Sequence, residues 1–268
     1  MVEIVAITNQ KGGVGKTTTS VNLAASLAAT HKRVLMIDLD PQGNATMGSG
    51  INKMQISNSV YDFLVEEQEL TSVVQDTEYG YQVMPANGDL TAAEVKLLEE
   101  IGREQKLQRL LAQCDDNFDY ILIDCPPSLN MLTVNALTAA NSVVIPIQCE
   151  YYALEGLAAL LTTVEKIKQF VNPKLRVEGL LRTMFDPRNS LSNEVSKHLL
   201  GRFPEWVFRT VIPRNVRLAE APSHGMPVLH YDKRSRGAVA YLALAGELLR
   251  REEQRKAAMA PVALEESE

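Results

Sequence analysis

The fold of this chain is decided by the stretch TNQKGGVGKTTTS, residues 8–20. It follows a strand-like apolar run at 3–8 and precedes apolar residues at helical spacing. Glycines between a strand and a helix let the backbone approach a phosphate, which the loop and helix N–H groups then bind. We therefore predict a phosphate-binding loop, with Lys16 on the β and γ phosphates and the Thr17 hydroxyl on Mg²⁺.

The loop carries two lysines, although a phosphate site needs only the second. The usual phosphate-loop pattern has a glycine five places before Gly15, and this chain has Gln10 there, followed by Lys11. The alternative is that Lys11 is an ordinary exposed lysine of a mobile loop, and the KGG that opens this loop argues against it.

The composition is that of a globular protein, with 268 residues of which 46% are hydrophobic and 22% charged. No window holds the roughly 18 apolar residues of a membrane span, and no secretion signal opens the chain, so we expect a cytoplasmic protein. The net charge of −6 argues against a protein that coats nucleic acid through its overall charge. Cys114, Cys125 and Cys149 lack metal-site spacing, and we expect them to be small buried residues.

Short apolar runs alternate with amphipathic stretches along the chain. The runs predict strands at 3–8, 33–40, 118–125, 141–148 and 177–185, with shorter ones at 81–85 and 208–213. Helical spacing predicts helices at 17–29, 92–113, 154–170 and 237–251. This alternation predicts an α/β fold, a doubly wound, mostly parallel sheet flanked by helices on both faces. We expect one domain, residues 1–251, and a flexible tail, 252–268.

Aspartates end two of the predicted strands. Asp38 and Asp40 close RVLMIDLD, and Asp124 closes YILID. Carboxylates at the C-terminal ends of parallel strands face the ligand crevice. We predict that Asp124 holds Mg²⁺ through water and that Asp40 acts on the attacking water or the magnesium shell. Asp38 could equally be structural, and it ranks behind Asp40.

Positive charge is concentrated in the C-terminal third. Between residues 202 and 236 there are seven basic and three acidic residues, a local net charge of +4. Such segregation is typical of surfaces that bind polyanions, although a solvated basic face has the same composition. The segment has no recognition-helix motif, which favours contact with phosphates over reading of bases.

These motifs resemble those of the ParA/Soj family of chromosome- and plasmid-partitioning ATPases. The resemblance is carried by KGGVGKTTT (11–19), DLDPQGNAT (38–46), DCPPSL (124–129), PRNVRLAEAPSHG (213–225) and YDKRSRGA (231–238). The first motif is shared by all P-loop NTPases with a deviant Walker A motif, including MinD, the arsenical-pump ATPase and the nitrogenase iron protein. The fourth is far more specific to ParA/Soj.

The resemblance implies ATP and Mg²⁺ as cofactors and an ATP-sandwich homodimer, in which Lys11 contacts the phosphates of the partner subunit. Segments 40–46 and 124–130 would be switches ordered by the γ-phosphate. The implied catalytic residues are Lys11, Lys16, Asp40 and Asp124, and the metal ligands are Thr17, Asp40 and Asp124. The implied nucleotide-binding residues are Lys11, Gly12, Gly13, Val14, Gly15, Lys16, Thr17, Thr18, Met184, Pro213, Arg214 and Asn215, with Phe185 also near the adenine.

The resemblance also implies that the dimer binds nonspecific double-stranded DNA on the nucleoid. A ParB-like centromere-binding protein would stimulate hydrolysis and release the dimer. The implied DNA-binding residues are Arg202, Arg209, Arg217, Lys233 and Arg236. Because the chain starts at the first strand, without the N-terminal helix-turn-helix extension of larger plasmid members, operator-specific DNA binding is not expected.

Three alternative functions share the phosphate motif. A MinD-like membrane-associated cell-division ATPase needs a C-terminal amphipathic helix with bulky apolar anchors, whereas residues 251–268 contain Pro261 and end acidic. A redox ATPase needs cluster-ligating cysteines, which the spacing of Cys125 and Cys149 does not support. A small-molecule kinase or synthetase would leave Lys11 and the basic segment without a purpose.

Overall fold

An eight-stranded sheet forms the centre of the protein. The computed structural model describes residues 2–113 and 117–259. The strands are β1 (Glu3–Ile7), β2 (Val34–Asp38), β3 (Gln75–Asp76), β4 (Gln82–Met84), β5 (Tyr120–Asp124), β6 (Ser142–Gln148), β7 (Arg176–Phe185) and β8 (Val207–Pro213). Their order is β3-β4-β2-β5-β1-β6-β7-β8, and every pairing except β3–β4 is parallel. The expected doubly wound, mostly parallel sheet is confirmed.

Helices connect the strands and cover both faces of the sheet. They are α1 (Lys16–Ala28), α2 (Asn44–Gly48), α3 (Val60–Leu64), α4 (Leu70–Val73), α5 (Leu90–Leu98), α6 (Lys106–Leu111), α7 (Met131–Ala139), α8 (Ala153–Phe170), α9 (Ser190–Arg202), α10 (Val216–Glu220), α11 (Val228–Tyr231) and α12 (Arg236–Met259). Two short 3-10 segments, Arg103–Gln105 and Ala221–His224, lie between them. Over the ranges 2–113 and 117–259, no helix has the length and apolar character needed to span a membrane.

Two hydrophobic cores form because successive strand side chains point to opposite faces of the sheet. On β1, Val5 and Ile7 face α1 and α12, whereas Ala6 faces the other layer. That second layer contains α3 and α5 to α9. The N-terminal phosphate loop and the C-terminal helix therefore share one face, and α5 lies on the opposite face.

Parallel register brings the predicted site residues to one edge of the sheet. Asp124 at the end of β5 pairs with Ile7 on one side and with Asp38 on the other. The loop after β1 and both aspartate motifs therefore meet at the C-terminal ends of the three central strands. This is the edge at which open α/β sheets bind ligands.

Two expectations about helices need correction. The single helix predicted at 92–113 is broken, because Gly102 adopts a positive φ of 68° between α5 and the 3-10 segment that precedes α6. Residues 252–259, expected in a flexible tail, form the last turns of α12, which continues to Met259. Its last turns are packed: Glu252 accepts a hydrogen bond from Tyr120, and Arg255 Nη1 lies 2.7 Å from Glu178 Oε1. Residues 260–268 and Cys114 lie outside the described residues.

Candidate active site

The loop after β1 forms one wall of a cavity of about 440 Å³. Gly15 has a φ of 90° and caps α1, a conformation that suits glycine because it has no Cβ. Val14 is buried and its carbonyl accepts a hydrogen bond from Thr183 Oγ1 at 2.7 Å, which fixes the loop against β7. Val14 does not line the cavity, whereas six of its predicted neighbours do: Gly12, Gly13, Gly15, Lys16, Thr17 and Thr18.

Lys16 is nearly buried at the start of α1, and its Nζ donates to the Lys11 carbonyl at 3.2 Å. Burial lowers the pKa of Lys16, while the negative charges of Asp124 and Asp40 raise it. An ammonium that has lost much of its water and faces a cavity can bind an anion such as a terminal phosphate. This placement agrees with its predicted role.

Asp124 is fully buried beside two hydroxyl groups of α1. Its Oδ2 accepts from Thr17 Oγ1 and its Oδ1 from Ser20 Oγ, both at 2.8 Å. Burial, with the nearby charge of Asp38, raises the pKa of Asp124 to about 8, although the hydrogen bonds oppose this shift. A carboxylate and a hydroxyl side by side fit a magnesium ion that takes its remaining ligands from phosphates and water.

The two aspartates after β2 have different surroundings. Asp38 is fully buried, and its Oδ2 accepts from the Thr46 backbone N–H at 2.8 Å and from Thr46 Oγ1 at 2.7 Å. Burial raises the pKa of Asp38 to about 6. Asp40 instead lines the cavity, and its Oδ1 accepts from the Gln42 N–H at 2.9 Å. Asp38 therefore holds segment 40–46 in place, and Asp40 faces the ligand space.

Three of the five residues expected around the adenine line the cavity. Met184, Pro213 and Asn215 line it, whereas Arg214 is exposed and does not. Met184 has a positive φ of 48°, which is uncommon for a residue with a side chain and often marks a functional position. Asn215 Oδ1 accepts from the Leu218 N–H and caps α10, so its amide nitrogen remains for a ligand. Phe185 packs against the core instead.

Gln42, Asn44 and Pro127 also line the cavity, and they lie in segments 40–46 and 124–130, which were expected to be switches. Sequence reasoning missed four other lining residues, namely Thr183, Ile212, Leu218 and Tyr241. Tyr241 is buried on α12, and its hydroxyl lies 3.2 Å from Thr19 Oγ1. In the sequence, it belongs to the apolar stripe of a helix and is indistinguishable from a core residue. Only the packing of α12 against α1 brings it to the cavity.

Lys11 does not line the cavity. Its side chain turns toward the end of β6, where Nζ lies 2.5 Å from Glu150 Oε2, and both side chains are about half exposed. Its backbone N–H donates to Asn9 Oδ1, and Asn9 Nδ2 donates to the Pro146 carbonyl. The two lysines of the loop thus serve different spaces: Lys16 faces the cavity, and Lys11 faces outward.

The five residues assigned to DNA fall into two groups. One group lies near the cavity and consists of Arg217, Lys233 and Arg236. Leu218, which follows Arg217, lines the cavity, and Gly237, which follows Arg236, packs directly against Leu218. Arg209 is near the other end of β8, where its N–H donates to Glu247 of α12. Glu247 is eleven residues beyond Arg236, about 16 Å along the helix. Arg202 ends α9, and its guanidinium lies over the Phe203 ring.

Charge pairing distinguishes the members of the first group. Arg217 is paired with Glu220 at 2.8 Å and lies 3.4 Å from Asp232. Lys233 and Arg236 are exposed, and neither side chain forms an ion pair with any other residue within 2–113 and 117–259. The sequence ranked Arg217 and Arg236 together, and the structure leaves Arg236 the more available of the two.

Several known proteins are similar in sequence to this chain over most of its length. Residues 2–177 match a family described as AAA domain. The "Sporulation initiation inhibitor protein Soj" of Bacillus subtilis is 55% identical over 92% of this chain and 98% of its own length. The "Chromosome partitioning protein ParA" of Myxococcus xanthus is 50% identical over 93% and 88%. The "Chromosome-partitioning ATPase Soj" of Treponema pallidum is 46% identical over 95% and 100%.

Solved structures with the same fold include nucleotide complexes. A structure described as cobyrinic acid a,c-diamide synthase from Mycobacterium smegmatis, with bound ADP and magnesium, has a TM-score of 0.84 and 39% identity, covering 95% of this chain and 97% of that one. The cell division ATPase MinD of Pyrococcus furiosus has a TM-score of 0.77 and 25% identity, covering 94% and 100%. The arrangement of strands, loop and flanking helices is therefore shared with these two proteins.

Proposed function

The chain belongs to the ParA/Soj family of partitioning ATPases, and from that membership we propose that it hydrolyses ATP to ADP and phosphate to drive DNA segregation. ATP binding would produce a homodimer that holds double-stranded DNA without reading its sequence. Hydrolysis, stimulated by a ParB-like centromere-binding protein, would release it from the nucleoid. Relatives described as partitioning proteins at 46% to 55% identity support this proposal.

The cofactors are ATP and Mg²⁺ in this proposal. Thr17 and Asp124 would hold the metal, which neutralises charge on the β and γ phosphate oxygens. Lys16 would contact the same phosphates from the start of α1. Asp40, the first residue of segment 40–46, would position the attacking water and accept its proton. The complex of the M. smegmatis protein with ADP and magnesium supports this choice of cofactors.

The observation that carries the proposed dimer is the orientation of Lys11. The Lys11 side chain turns away from its own cavity, so it is not placed to contact a phosphate bound there. Two triphosphates facing each other across a two-fold axis would need cations between them, because buried like charges repel. Lys11 lies at the outer end of the loop, from which it could supply that charge to the opposite subunit.

DNA contact is assigned to the basic residues near the cavity. Arg217, Lys233 and Arg236 form its centre, and Arg202 and Arg209 lie further out and would contribute less. Arg188 is exposed at the β7–α9 connection but is paired with Asp186 at 2.8 Å, so it would contribute less than Lys233 and Arg236. A few phosphate contacts per subunit bind weakly, but two subunits held together gain avidity. ATP would thus control DNA binding through dimerisation.

The M. smegmatis neighbour bears the name of a synthase, which raises a biosynthetic function as the competing possibility. Its identity to this chain, 39%, is lower than that of the relatives described as Soj or ParA. A synthase would also leave the outward lysine and the unpaired basic residues without a role. We therefore assign partitioning rather than synthesis.

Size-exclusion chromatography of an Asp40→Ala variant tests the proposal. With ATP and Mg²⁺ the variant is expected to elute as a dimer, and with ADP as a monomer. Added nonspecific duplex DNA should shift only the ATP sample. Lys16→Ala is the matched control and should remain a monomer in both. A monomer with ATP at every concentration would refute the proposed dimer and the DNA binding that depends on it.

A further inference from the structure

A second cavity, of about 670 Å³, lies at the opposite ends of the strands from the candidate active site. Val177 and Val207 line it near the N-terminal ends of β7 and β8, whereas the first cavity lies where the strands end. Arg209 lines this cavity and Pro213 lines the first, and four residues of β8, about 13 Å, separate them. No residue among those described lines both. The second cavity is therefore distinct from the first.

Arginines dominate the charge of this second cavity, which we call the arginine cavity. Five arginines line it, namely Arg176, Arg209, Arg250, Arg251 and Arg255. Three glutamates share the lining, namely Glu178, Glu205 and Glu247. Five positive and three negative charges leave a net charge of +2 on the lining residues. A concave surface with this charge attracts anions.

Three of the arginines hold the wall of the arginine cavity together. Arg251 pairs with Glu247 at 3.1 Å. Arg255 pairs with Glu178 at 2.7 Å, and Arg176 lies 3.5 Å from the same carboxylate. Arg176 also pairs with the first residue of β1, which lies outside the lining. These contacts fasten the last turns of α12 to the sheet, and they account for the charges that take part in them.

The other two arginines have no such structural task. Arg209 and Arg250 are exposed, and neither side chain forms an ion pair within residues 2–113 and 117–259. Gly246, one turn before Arg250, allows the guanidinium to lie close to the helix, since a Cβ there would be 3.3 Å from Nη1. Glu205 is also exposed and has no ion pair in those ranges. Two guanidinium groups and one carboxylate of the lining are thus left without a partner.

An aromatic side chain accompanies these arginines. Trp206, the only tryptophan of the chain, lines the cavity and is half-buried. Its ring stacks on that of Phe203, with 5.4 Å between the centroids and 5° between the planes, so the indole is held in place. A fixed indole can stack with a nucleotide base, and a guanidinium can pair with two oxygens of a phosphate. The combination is suited to a ligand that has both groups.

We propose that the arginine cavity is a second nucleotide site, which takes a free nucleotide with its base on Trp206 and its phosphate between Arg209 and Arg250. The planar fork of arginine suits phosphate oxygens. The volume lies within the range of about 300–1,000 Å³ that is usual for small-molecule sites. The proposal does not depend on the ATPase function proposed above, because no residue of the first cavity takes part in it.

Helix α12 contributes to both cavities. Tyr241 lines the first, and Arg250, nine residues later and about 14 Å along the helix, lines the second. A ligand that joined Arg250 to Arg209 of β8 would fasten the last turns of α12 to the sheet. A ligand that binds only the folded protein also stabilises it by mass action. We therefore expect a nucleotide in the arginine cavity to raise the melting temperature.

The fluorescence of Trp206 makes binding measurable, because selective excitation of the single tryptophan reports on this cavity. The probe is guanosine 5′-monophosphate (GMP), titrated into the full chain with Lys16→Ala, which weakens binding at the first cavity. GMP should quench Trp206. Free guanosine and inorganic phosphate each offer half of the contacts, and they should need at least tenfold higher concentrations. Equal quenching by guanosine and GMP would refute a role for the arginines.

Variants of two lining residues should shift the affinity in opposite directions. Arg250→Ala should weaken GMP binding at least tenfold and abolish the rise in melting temperature, with no change in the unliganded protein. Arg234→Ala, at another exposed arginine without an ion pair in the described ranges, is the matched control and should bind GMP as wild type does. Glu205→Gln should tighten binding, because it removes a negative charge beside the phosphate. Unchanged binding by Arg250→Ala, or weaker binding by Glu205→Gln, would overturn the proposal.

A short single-stranded oligonucleotide distinguishes a free nucleotide from one within a nucleic acid. At equal nucleotide concentration the oligonucleotide should quench Trp206 less than GMP, since its flanking nucleotides have to remain outside the cavity. If it instead binds at least tenfold more tightly than GMP and Arg250→Ala removes that binding, the arginine cavity contacts nucleic acid and the proposal of a free nucleotide is wrong.

Discussion

Lys11 Nζ lies 2.5 Å from Glu150 Oε2, so the lysine proposed to serve the opposite subunit is bound within its own. Glu150 follows β6 and directly precedes two exposed tyrosines, Tyr151 and Tyr152, whose rings pack edge to face. Dimerisation through Lys11 has to break this ion pair. The contact therefore opposes the dimer by an amount that mutation can measure.

Replacement of Glu150 by glutamine should tighten the ATP-dependent dimer. An ion pair between half-exposed side chains contributes about 0–1 kcal/mol, and a symmetric dimer breaks two such pairs, so the dimer dissociation constant should fall by no more than about thirtyfold. Glu155→Gln removes the same charge one turn into α8 without touching Lys11, and it should have no effect. Sedimentation equilibrium with ATP and an Asp40→Ala background measures both. A weaker dimer for Glu150→Gln would show that Glu150 contacts the partner subunit instead.

Asp40→Ala and Asp38→Ala should fail in different ways. The first removes the carboxylate that faces the cavity, and we expect ATP binding to persist while turnover falls about 10²–10⁴-fold. The second leaves the Thr46 N–H and hydroxyl without an acceptor, and it should lower the free energy of unfolding by about 1–3 kcal/mol. Thermal melts and phosphate release assays separate the two outcomes. Rapid turnover by Asp40→Ala would contradict its role.

Magnesium affinity should depend on pH through Asp124. Its pKa is raised to about 8 by burial, so at pH 6 most molecules must lose a proton before the carboxylate can hold the ion. The apparent affinity should rise toward pH 8 by up to about tenfold per pH unit and then level off. Calorimetry in two buffers of different ionisation enthalpy would detect the released proton. Asp38→Asn should move the rise to lower pH, because Asp38 charge contributes to the shift.

The same raised pKa values predict how stability changes with pH when no ligand is bound. Unfolded aspartate ionises near pH 3.9, whereas Asp38 and Asp124 ionise in the folded protein only near 6 and 8. The unfolded state therefore loses protons first, and the free energy of unfolding should fall as pH rises from about 4 to 8. Saturating Mg²⁺ and ATP should flatten this dependence. A stability that increased across that range would contradict the burial of the pair.

Charge reversal should distinguish the two basic groups. Arg236→Glu should weaken binding to nonspecific duplex DNA and reduce the slope of affinity against salt by about one phosphate contact. Arg209→Glu should have a smaller effect, because Arg209 contacts α12 at Glu247, several turns beyond Arg236. Lys168→Glu, on α8 and the opposite face of the sheet, controls for net charge. Equal losses for Arg209→Glu and Arg236→Glu would place the DNA along the whole length of α12.

The last turns of α12 should contribute to stability. Glu178 has an almost fully buried carboxylate that pairs with Arg255 at 2.7 Å and lies 3.5 Å from Arg176. Arg255→Ala should therefore cost about 1–3 kcal/mol of unfolding free energy. Lys256→Ala, at an exposed neighbour, should cost much less. Truncation after residue 251 should destabilise the protein, and an equal loss from truncation after residue 259 would show that residues 260–268 also pack.

The sheet could be predicted from sequence because its strands are buried on both faces. The apolar runs around Ile123 and Val144 cannot be amphipathic helices, and their ends coincide with β5 and β6 to within two residues. The break at Gly102 could not be seen, since the apolar residues on either side keep helical spacing. The antiparallel strand β3 was missed because two residues carry no periodicity.

The sequence predicted the residues of the loop end of the cavity together, and those of the end formed by β7 and β8 only in part. Lys16, Thr17 and Asp124 lie in contiguous motifs whose spacing fixes their chemistry. Tyr241 and Leu218 reach the cavity only through tertiary packing, and Met184 does so through an uncommon backbone conformation. Arg214 was misplaced because its neighbours in sequence, Pro213 and Asn215, do face the cavity.

The hydrogen bond from Lys16 Nζ to the Lys11 carbonyl has a consequence for timing in the proposed cycle. A terminal phosphate that recruits the Lys16 ammonium withdraws it from Lys11, and the outer lysine loses one of its restraints within the subunit. In the proposed cycle, filling of the pocket would free the Lys11 carbonyl, while the Lys11 side chain would stay paired with Glu150 until the dimer forms. Each subunit would become competent to dimerise only after it has bound nucleotide, so a subunit with an empty pocket would dimerise poorly.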